Sequence, residues 1–409
     1  MKKLIVANTL SQLIGRAISA LTTLVVTVFI ARNFGADGYG DFVKITTYTA
    51  FFYLIADFGM NAIFLQYEES KHWASLVALR LLVGSSLILL SLIILAFLPG
   101  TRNQGYTPVV KIGILLFCPT ILFQSMIITA NAVFQKHLQY TFAAWAIFFG
   151  SLATIISIFF ATSSLMGVGI VAFGSLVTAV FSLWFAAQIL GRLPFVPSTA
   201  SMKKLFVSSV PLGVILLFSL VYFRADSVII TLTRPTAEVG VYGLAYKVFE
   251  VILVFPTFFM NAVYPIMLHK KNIENILRNS FLFLLITSFI SLVALWFLSP
   301  LLVFIKSDFV ASVGALRVLT LGLPFFFVTS ATMWGLIAMK KQKILVSIYG
   351  ISMAINLIGN IVLIPTHGFM AAAWMTVVGE GVVLFLSSIV LLKTLNNNKE
   401  YLKFSIFNF

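Results

Sequence analysis

The sequence predicts an all-α membrane protein of about twelve transmembrane helices, in two six-helix bundles related by a pseudo-two-fold axis along the membrane normal. Composition, recurring apolar runs and a faint internal repeat predict it. Apolar residues make up 60% of the chain and charged residues 10%, whereas soluble chains carry about 25% charged residues, so lipid must be the main solvent. Apolar runs of roughly 20 residues or more, long enough to cross a ~30 Å hydrocarbon core as helix, recur along the whole length and leave no stretch for a soluble domain. FGMNAIF at 58–64 returns as FFMNAVY at 258–264, and Tyr39-Gly40 with Lys44 returns as Tyr242-Gly243 with Lys247.

The first span, 7–31, follows Lys2 and Lys3, is too long for a signal-peptide core and carries Arg16, so it reads as an uncleaved membrane helix. GADGYG at 35–40 joins it to the second span, 42–65, and reads as an interfacial turn rather than a phosphate cradle. Spans at 73–98, 108–133, 140–160 and 164–190 follow with short connections and complete an N-terminal six-helix bundle over 1–190. The longest connection, GRLPFVPSTASMKK at 191–204, holds Pro194 and Pro197 among Ser and Thr and reads as a cytoplasmic linker. The seventh span, 205–230, has Arg224 and Asp226 near its end. Spans at 239–265, 279–304, 314–338, 344–365 and 368–392 complete a C-terminal bundle over 205–392, followed by a cytoplasmic tail at 393–409. Because six is even, both halves enter the membrane in the same direction; such a parallel repeat places a binding site between its halves.

A net charge of +15 invites comparison with nucleic-acid binders, but its placement decides otherwise. With the amino terminus inside, sixteen Lys and Arg fall in inner loops and tails and six in outer loops and margins, while five lie within spans. The positive-inside rule then makes both termini cytoplasmic and accounts for the basic excess without nucleic acid. Cys118 is the single cysteine, which excludes an intramolecular disulfide and a cysteine metal cluster. The histidines His72, His137, His269 and His367 are isolated in loops, and no Walker-type phosphate loop is present. No cofactor is expected.

Within the spans lie Arg16, Arg80, Arg224, Lys247 and Arg317, with Asp57, Asp226, Glu250 and Glu380. At ~2.5–3.5 kcal/mol each, nine such groups facing lipid would cost roughly 20–30 kcal/mol, beyond typical folding stability, so most must face protein or a hydrated cavity. Asn8, Gln12, Arg16, Ser19, Thr23 and Thr27 lay a polar stripe along the first helix. Thr46, Tyr53, Asp57 and Asn61 do so on the second, and Tyr349, Ser352, Asn356 and Asn360 on the eleventh. Such stripes either join helices or line a cavity. Lys247 and Glu250, three apart, suit an ion pair. Arg224 and Asp226 stand about 200° apart on a regular helix and cannot share one cavity. Arg16, Arg80 and Arg317 have no acid at helical spacing, and an Arg fork suits phosphate. These basic groups, with Arg224 and Lys247, are the candidates for an anionic head group. Asn8, Gln12, Asn61, Asn356 and Asn360 are candidate polar cavity residues, and Asp57, Asp226 and Glu380 candidate ion-coupling carboxylates.

Asn8, Ser11, Gly15 and Arg16, Ala31-Arg32 with Phe34-Gly35, Gly38-Tyr39-Gly40 and Asp57-Phe58-Gly59 resemble the opening of polysaccharide-biosynthesis flippases of the Wzx type. These belong to the multidrug/oligosaccharidyl-lipid/polysaccharide exporter superfamily. Asp226 with Ser227-Val228-Ile229-Ile230, Val239-Gly240-Val241-Tyr242 and Pro265 extend the likeness, while the last four spans match in hydropathy only. The resemblance implies two six-helix bundles around a central cavity, with alternating access driven by a proton or sodium gradient. It implies an undecaprenyl-pyrophosphate-linked oligosaccharide, an O-antigen or capsule repeat unit, flipped across a bacterial cytoplasmic membrane while its tail stays in membrane lipid. Association with the polymerase and chain-length proteins of the same pathway goes with it. Lipid II flippases of the superfamily commonly carry two further helices, which this length does not accommodate. The competing readings are a drug exporter of the same superfamily, which would favour an acid-dominated cavity, and a membrane polymerase, which would need larger loops than these. A secondary transporter rather than an enzyme is expected.

Overall fold

The computed structural model describes residues 2–66, 72–191, 196–269 and 273–406. Among these the chain is predominantly helical, and β-structure amounts to two isolated bridges, Gly100 to Gly105 and Gln104 to Pro235. The helices are α1 (Lys2–Asp57), α2 (Met60–Phe64), α3 (Trp73–Phe97), α4 (Pro108–Phe117), α5 (Thr120–Lys136), α6 (Tyr140–Ile158) and α7 (Ser164–Leu190). They continue as α8 (Thr199–Thr233), α9 (Thr236–His269), α10 (Ile273–Leu298), α11 (Val310–Leu321), α12 (Leu323–Ala338), α13 (Gln342–His367) and α14 (Phe369–Ile406).

Ten stretches among the described residues are long and apolar enough to cross a membrane. The first of these holds two of the expected spans, because α1 is broken at Gly35, whose φ of 70° and ψ of −168° turn the chain where a side chain would be strained. The expected interfacial turn at 35–40 is therefore one residue long, and helix resumes at Ala36 rather than near 42. Helix α8 covers the seventh expected span. The chain is thus a multi-pass membrane protein with one helical rod at each of the twelve expected places. Two rods are interrupted at proline: α4 gives way to α5 at Cys118-Pro119, and α11 to α12 at Gly322 before Pro324. Proline supplies no amide hydrogen to the helix ladder, so a rod breaks there readily.

The chain forms two compact units, Met1–Gly240 and Val241–Phe409. In the first, the core gathers Ile45, Phe52, Leu87, Ile114, Ile121 and Val168 from α1, α3, α4, α5 and α7. A second cluster joins Val133 and Phe134 of α5 to Ala146 of α6 and Phe185 of α7. Helices α6 and α7 cross through GSLAT at 150–154 and GSLVT at 174–178. A Cβ on Gly150 would lie 2.7 Å from the Gly174 carbonyl oxygen, and one on Gly174 would lie 3.0 Å from that of Gly150. Thr154 and Thr178 return their hydroxyl protons to those two carbonyls. With no hydrophobic drive between helices in lipid, such close backbone approach supplies the attraction. In the second unit, Leu336, Leu345, Ile348 and Val383 tie α12, α13 and α14 together.

Candidate functional site

Three of the expected site residues converge where α1 ends. Asp57 closes the helix, Phe58 and Gly59 follow at φ of 44° and 71°, and α2 restarts at Met60. Such a break leaves carbonyl groups without helical partners. Arg80, reaching across from α3 and fully buried at 0% exposure, donates from Nη1 to the Ala56 carbonyl at 3.1 Å. Its Nη2 donates to Asp57 Oδ1 at 3.1 Å and to Asn61 Oδ1 at 2.6 Å. Asn61 in turn donates to the Ile128 carbonyl of α5 at 2.8 Å. One guanidinium therefore binds both sides of the break and ties them to α3 and α5. The Asp57 side chain keeps 33% exposure, so the pair has one protein face and one open face. Arg80 is occupied by protein acceptors in this conformation.

Arg16 is placed differently. It lies midway along the rod that runs from Lys2 to Gly35, and it is exposed. The neighbouring face packs on α6: a Cβ on Gly15 would touch Ile147 at 3.3 Å, Ser11 hydrogen-bonds Thr141, and Asn8 accepts from the Tyr140 amide at 2.8 Å. About 100° further round the helix, Gln12, Arg16 and Ser19 are exposed together, while Thr27 at the far end of the stripe is buried. Asn8 thus joins helices, and the middle of the stripe forms an open polar face.

Arg224 is half-buried and Asp226 buried, as their 200° separation on a continuous α8 requires; Asp226 Oδ1 accepts from the Ser227 amide. Lys247 donates to Glu250 at 3.0 Å, with both side chains about one third exposed (32% and 38%). Arg317 donates from Nε to Ser299 Oγ at 3.1 Å and lies over the Trp296 ring, 5.2 Å from its centroid. The stripe on α13 is turned to α14: Ser352 donates to the Gly379 carbonyl, Asn356 to that of Met375, and Asn360 to Asn356 Oδ1. Asn360 Oδ1 is buried without a hydrogen-bond partner among the described residues. Glu380 is buried beside this seam, at 4% exposure. No group of three or more His, Cys, Asp or Glu placed to hold a metal ion occurs among the described residues.

One polar centre lies outside the expected set. Lys44, which the sequence assigns to an outer margin, is 1% exposed and donates to the Gly105 carbonyl at 3.0 Å and to Thr236 Oγ1 at 2.6 Å. Thr236 donates to the Asn103 carbonyl, the Gly105 amide to that of Thr231, and the Gln104 side chain to that of Leu232. The hairpin at 99–107 is thereby seated on the turn between α8 and α9. The sequence places Lys44 at a margin, and nothing in its local spacing marks its acceptors on Gly105 and Thr236, which lie 61 and 192 residues away.

With this geometry in place, solved structures supply the fold. The chain is similar to the lipid II flippase MurJ in its inward closed conformation, with a TM-score of 0.78 at 17% identity, over 99% of this chain and 93% of that one. It is similar to an inward-facing multidrug resistance MATE family transporter, with a TM-score of 0.73 at 14% identity, over 93% and 95% of the two chains. It is also similar to a mutant of the Vibrio cholerae MATE transporter VcmN, with a TM-score of 0.62 at 14% identity over 97% of each chain. The fold is therefore the one that these solved structures share. No curated protein matches the chain in sequence. A family model described as polysaccharide biosynthesis protein matches residues 5–271, and the chain belongs to that family.

Proposed function

We propose that this protein is a flippase that carries an undecaprenyl-pyrophosphate-linked oligosaccharide repeat unit, O-antigen or capsule, across a bacterial cytoplasmic membrane by ion-coupled alternating access. The observation that carries the reading is Arg16: a guanidinium exposed at the middle of a membrane-crossing rod, flanked by exposed Gln12 and Ser19, in a chain of the polysaccharide biosynthesis family. Exposure to lipid there would cost ~2.5–3.5 kcal/mol, so a hydrated face is required. A fork of parallel donors on a wet face suits a pyrophosphate. MurJ, to which the fold is similar, is a lipid II flippase, and a lipid-linked cargo agrees with that likeness.

In this reading Arg16 grips the head group, with Arg224 and Lys247 as further cationic contacts. Arg80 acts as a positioning residue that fixes Asp57 and the break beside it. Asp57 is the coupling carboxylate best placed to meet a proton or sodium ion, being one third exposed while Asp226 and Glu380 are buried. The polyprenyl tail stays in lipid, both termini are cytoplasmic, and the polymerase and chain-length proteins receive the flipped unit. Deletion of the gene followed by analysis of lipid-linked intermediates tests the proposal. Single repeat units should accumulate on the inner leaflet; single units exposed on the outer face would instead indicate a polymerase.

A further inference from the structure

Arg317 of α11 is held in a way that a purely structural arginine does not require. Ser299, 1% exposed, spends its hydroxyl proton on the Trp296 carbonyl at 2.8 Å and offers its lone pair to Arg317 Nε at 3.1 Å. The guanidinium carbon lies over the Trp296 ring at 5.2 Å, a cation–π contact that fixes the plane of the group from a second side. Nε and one face are therefore engaged, while the edge bearing Nη1 and Nη2 meets no other hydrogen-bond acceptor and no carboxylate among the described residues. The side chain is only half-buried.

The exposed residues along the segment that carries Trp296 and Ser299 point to what that edge meets. Phe297 is 76% exposed, Leu298 52%, Leu301 54%, Phe304 81% and Val310 58%, forming an apolar rim of the kind that faces acyl chains. Arg317 stands seven residues into α11 from Val310, about 10 Å along the helix axis. From there its long side chain extends toward the membrane–water boundary, where Trp and Arg act as anchors. At a lipid-facing boundary the abundant anion is the phosphate of the lipids themselves, and the two Nη groups of an arginine match two phosphate oxygens.

We infer that Arg317, oriented by Ser299 and Trp296, is a binding site for the phosphodiester of a membrane phospholipid at the end of the second unit where α10 closes and α11 begins. The expected topology makes this the outer leaflet. The site holds a resident lipid against that unit and is separate from the cargo face at Arg16; it does not depend on the flippase reading.

The test uses the full chain, delipidated in dodecyl maltoside and titrated with dihexanoyl-phosphatidylglycerol or, separately, with inorganic phosphate. The readout is tryptophan fluorescence, with Trp296→Phe identifying the part of the signal that belongs to the site. The lipid should give a saturable change in wild type and in Arg16→Ala, absent in Trp296→Phe, with affinity at least tenfold weaker in Arg317→Gln and several-fold weaker in Arg317→Lys and Ser299→Ala. The two milder variants keep a charge at position 317 and decide the matter should Arg317→Gln fail to reach the membrane. Unchanged lipid affinity in the Arg317 variants overturns the proposal. So does inorganic phosphate saturating the same signal at the same concentration, which would mean that any free anion suffices.

Discussion

Removing the Arg80 side chain would strip three acceptors, on Ala56, Asp57 and Asn61, of their donor at once. Deleting one partner of a buried ion pair costs about 3–5 kcal/mol; the one-third exposure of Asp57 lowers that, and about 2–4 kcal/mol is expected for Arg80→Ala, read as reduced thermal stability in detergent. Arg80→Lys recovers only part of this, since an ammonium cannot span the same three acceptors in one plane. A double-mutant cycle with Asp57→Asn should return a coupling of about 1–2 kcal/mol. Arg16→Ala is expected to behave in the opposite way. Its side chain is exposed, so stability should change by no more than about 0.5 kcal/mol, while surface polysaccharide is lost and membrane insertion persists; polymer at wild-type level would remove Arg16 from the cargo site. Both arginines were legible as anomalies because an apolar span makes any charge conspicuous. Their division into a buried and an exposed one was not legible, because Asp57 and Arg80 lie on different helices and no spacing rule links them. Lys247 and Glu250 share a helix, and there the three-residue spacing sufficed to foresee their pairing.

Helix positions follow hydropathy closely, since each rod must be apolar over a bilayer's thickness whatever its neighbours. Interruptions depend on single residues and are harder to foresee. The repeated segments at 58–64 and 258–264 show this: the first contains the break at Phe58-Gly59, whereas the second lies inside continuous α9, and Asn61 is bonded to Arg80 while Asn261 is exposed. The stripes on the first and eleventh spans were equally plain as patterns. Which helix each would meet was not, because periodicity gives a face and not its partner. The α6–α7 crossing was not read from the sequence, although GSLAT and GSLVT place two small residues in equivalent positions where backbones can approach closely. Gly150→Ala or Gly174→Ala places a methyl within 3.0 Å of the opposing backbone or closer. A backbone cannot yield as a flexible side chain can, so each should cost about 1–3 kcal/mol by thermal unfolding, and Ser151→Ala on the same helix should cost less.

For the whole molecule the orientation in the membrane rests on the asymmetry of sixteen inner against six outer basic residues, and direct measurement can check it. Cys118 is the only cysteine, buried and hydrogen-bonded to Ser91, so Cys118→Ser removes the background thiol at the cost of one weak interaction. Single cysteines can then be placed in connections whose ends the structure defines. Thr101→Cys, in the hairpin before α4, and Ser307→Cys, before α11, should react with an impermeant maleimide in intact cells. Leu138→Cys, between α5 and α6, and Lys340→Cys, between α12 and α13, should react only after the membrane is opened. The assignment also bears on the direction of the proposed transport: the Arg80 cluster lies near the end of α1 and the start of α2, and the expected topology makes that end cytoplasmic, where the cargo of the proposed flippase would be loaded. A reversed pattern, with Leu138→Cys and Lys340→Cys labelled from outside, would invert every leaflet assigned above and leave the basic loops without a cytoplasmic explanation.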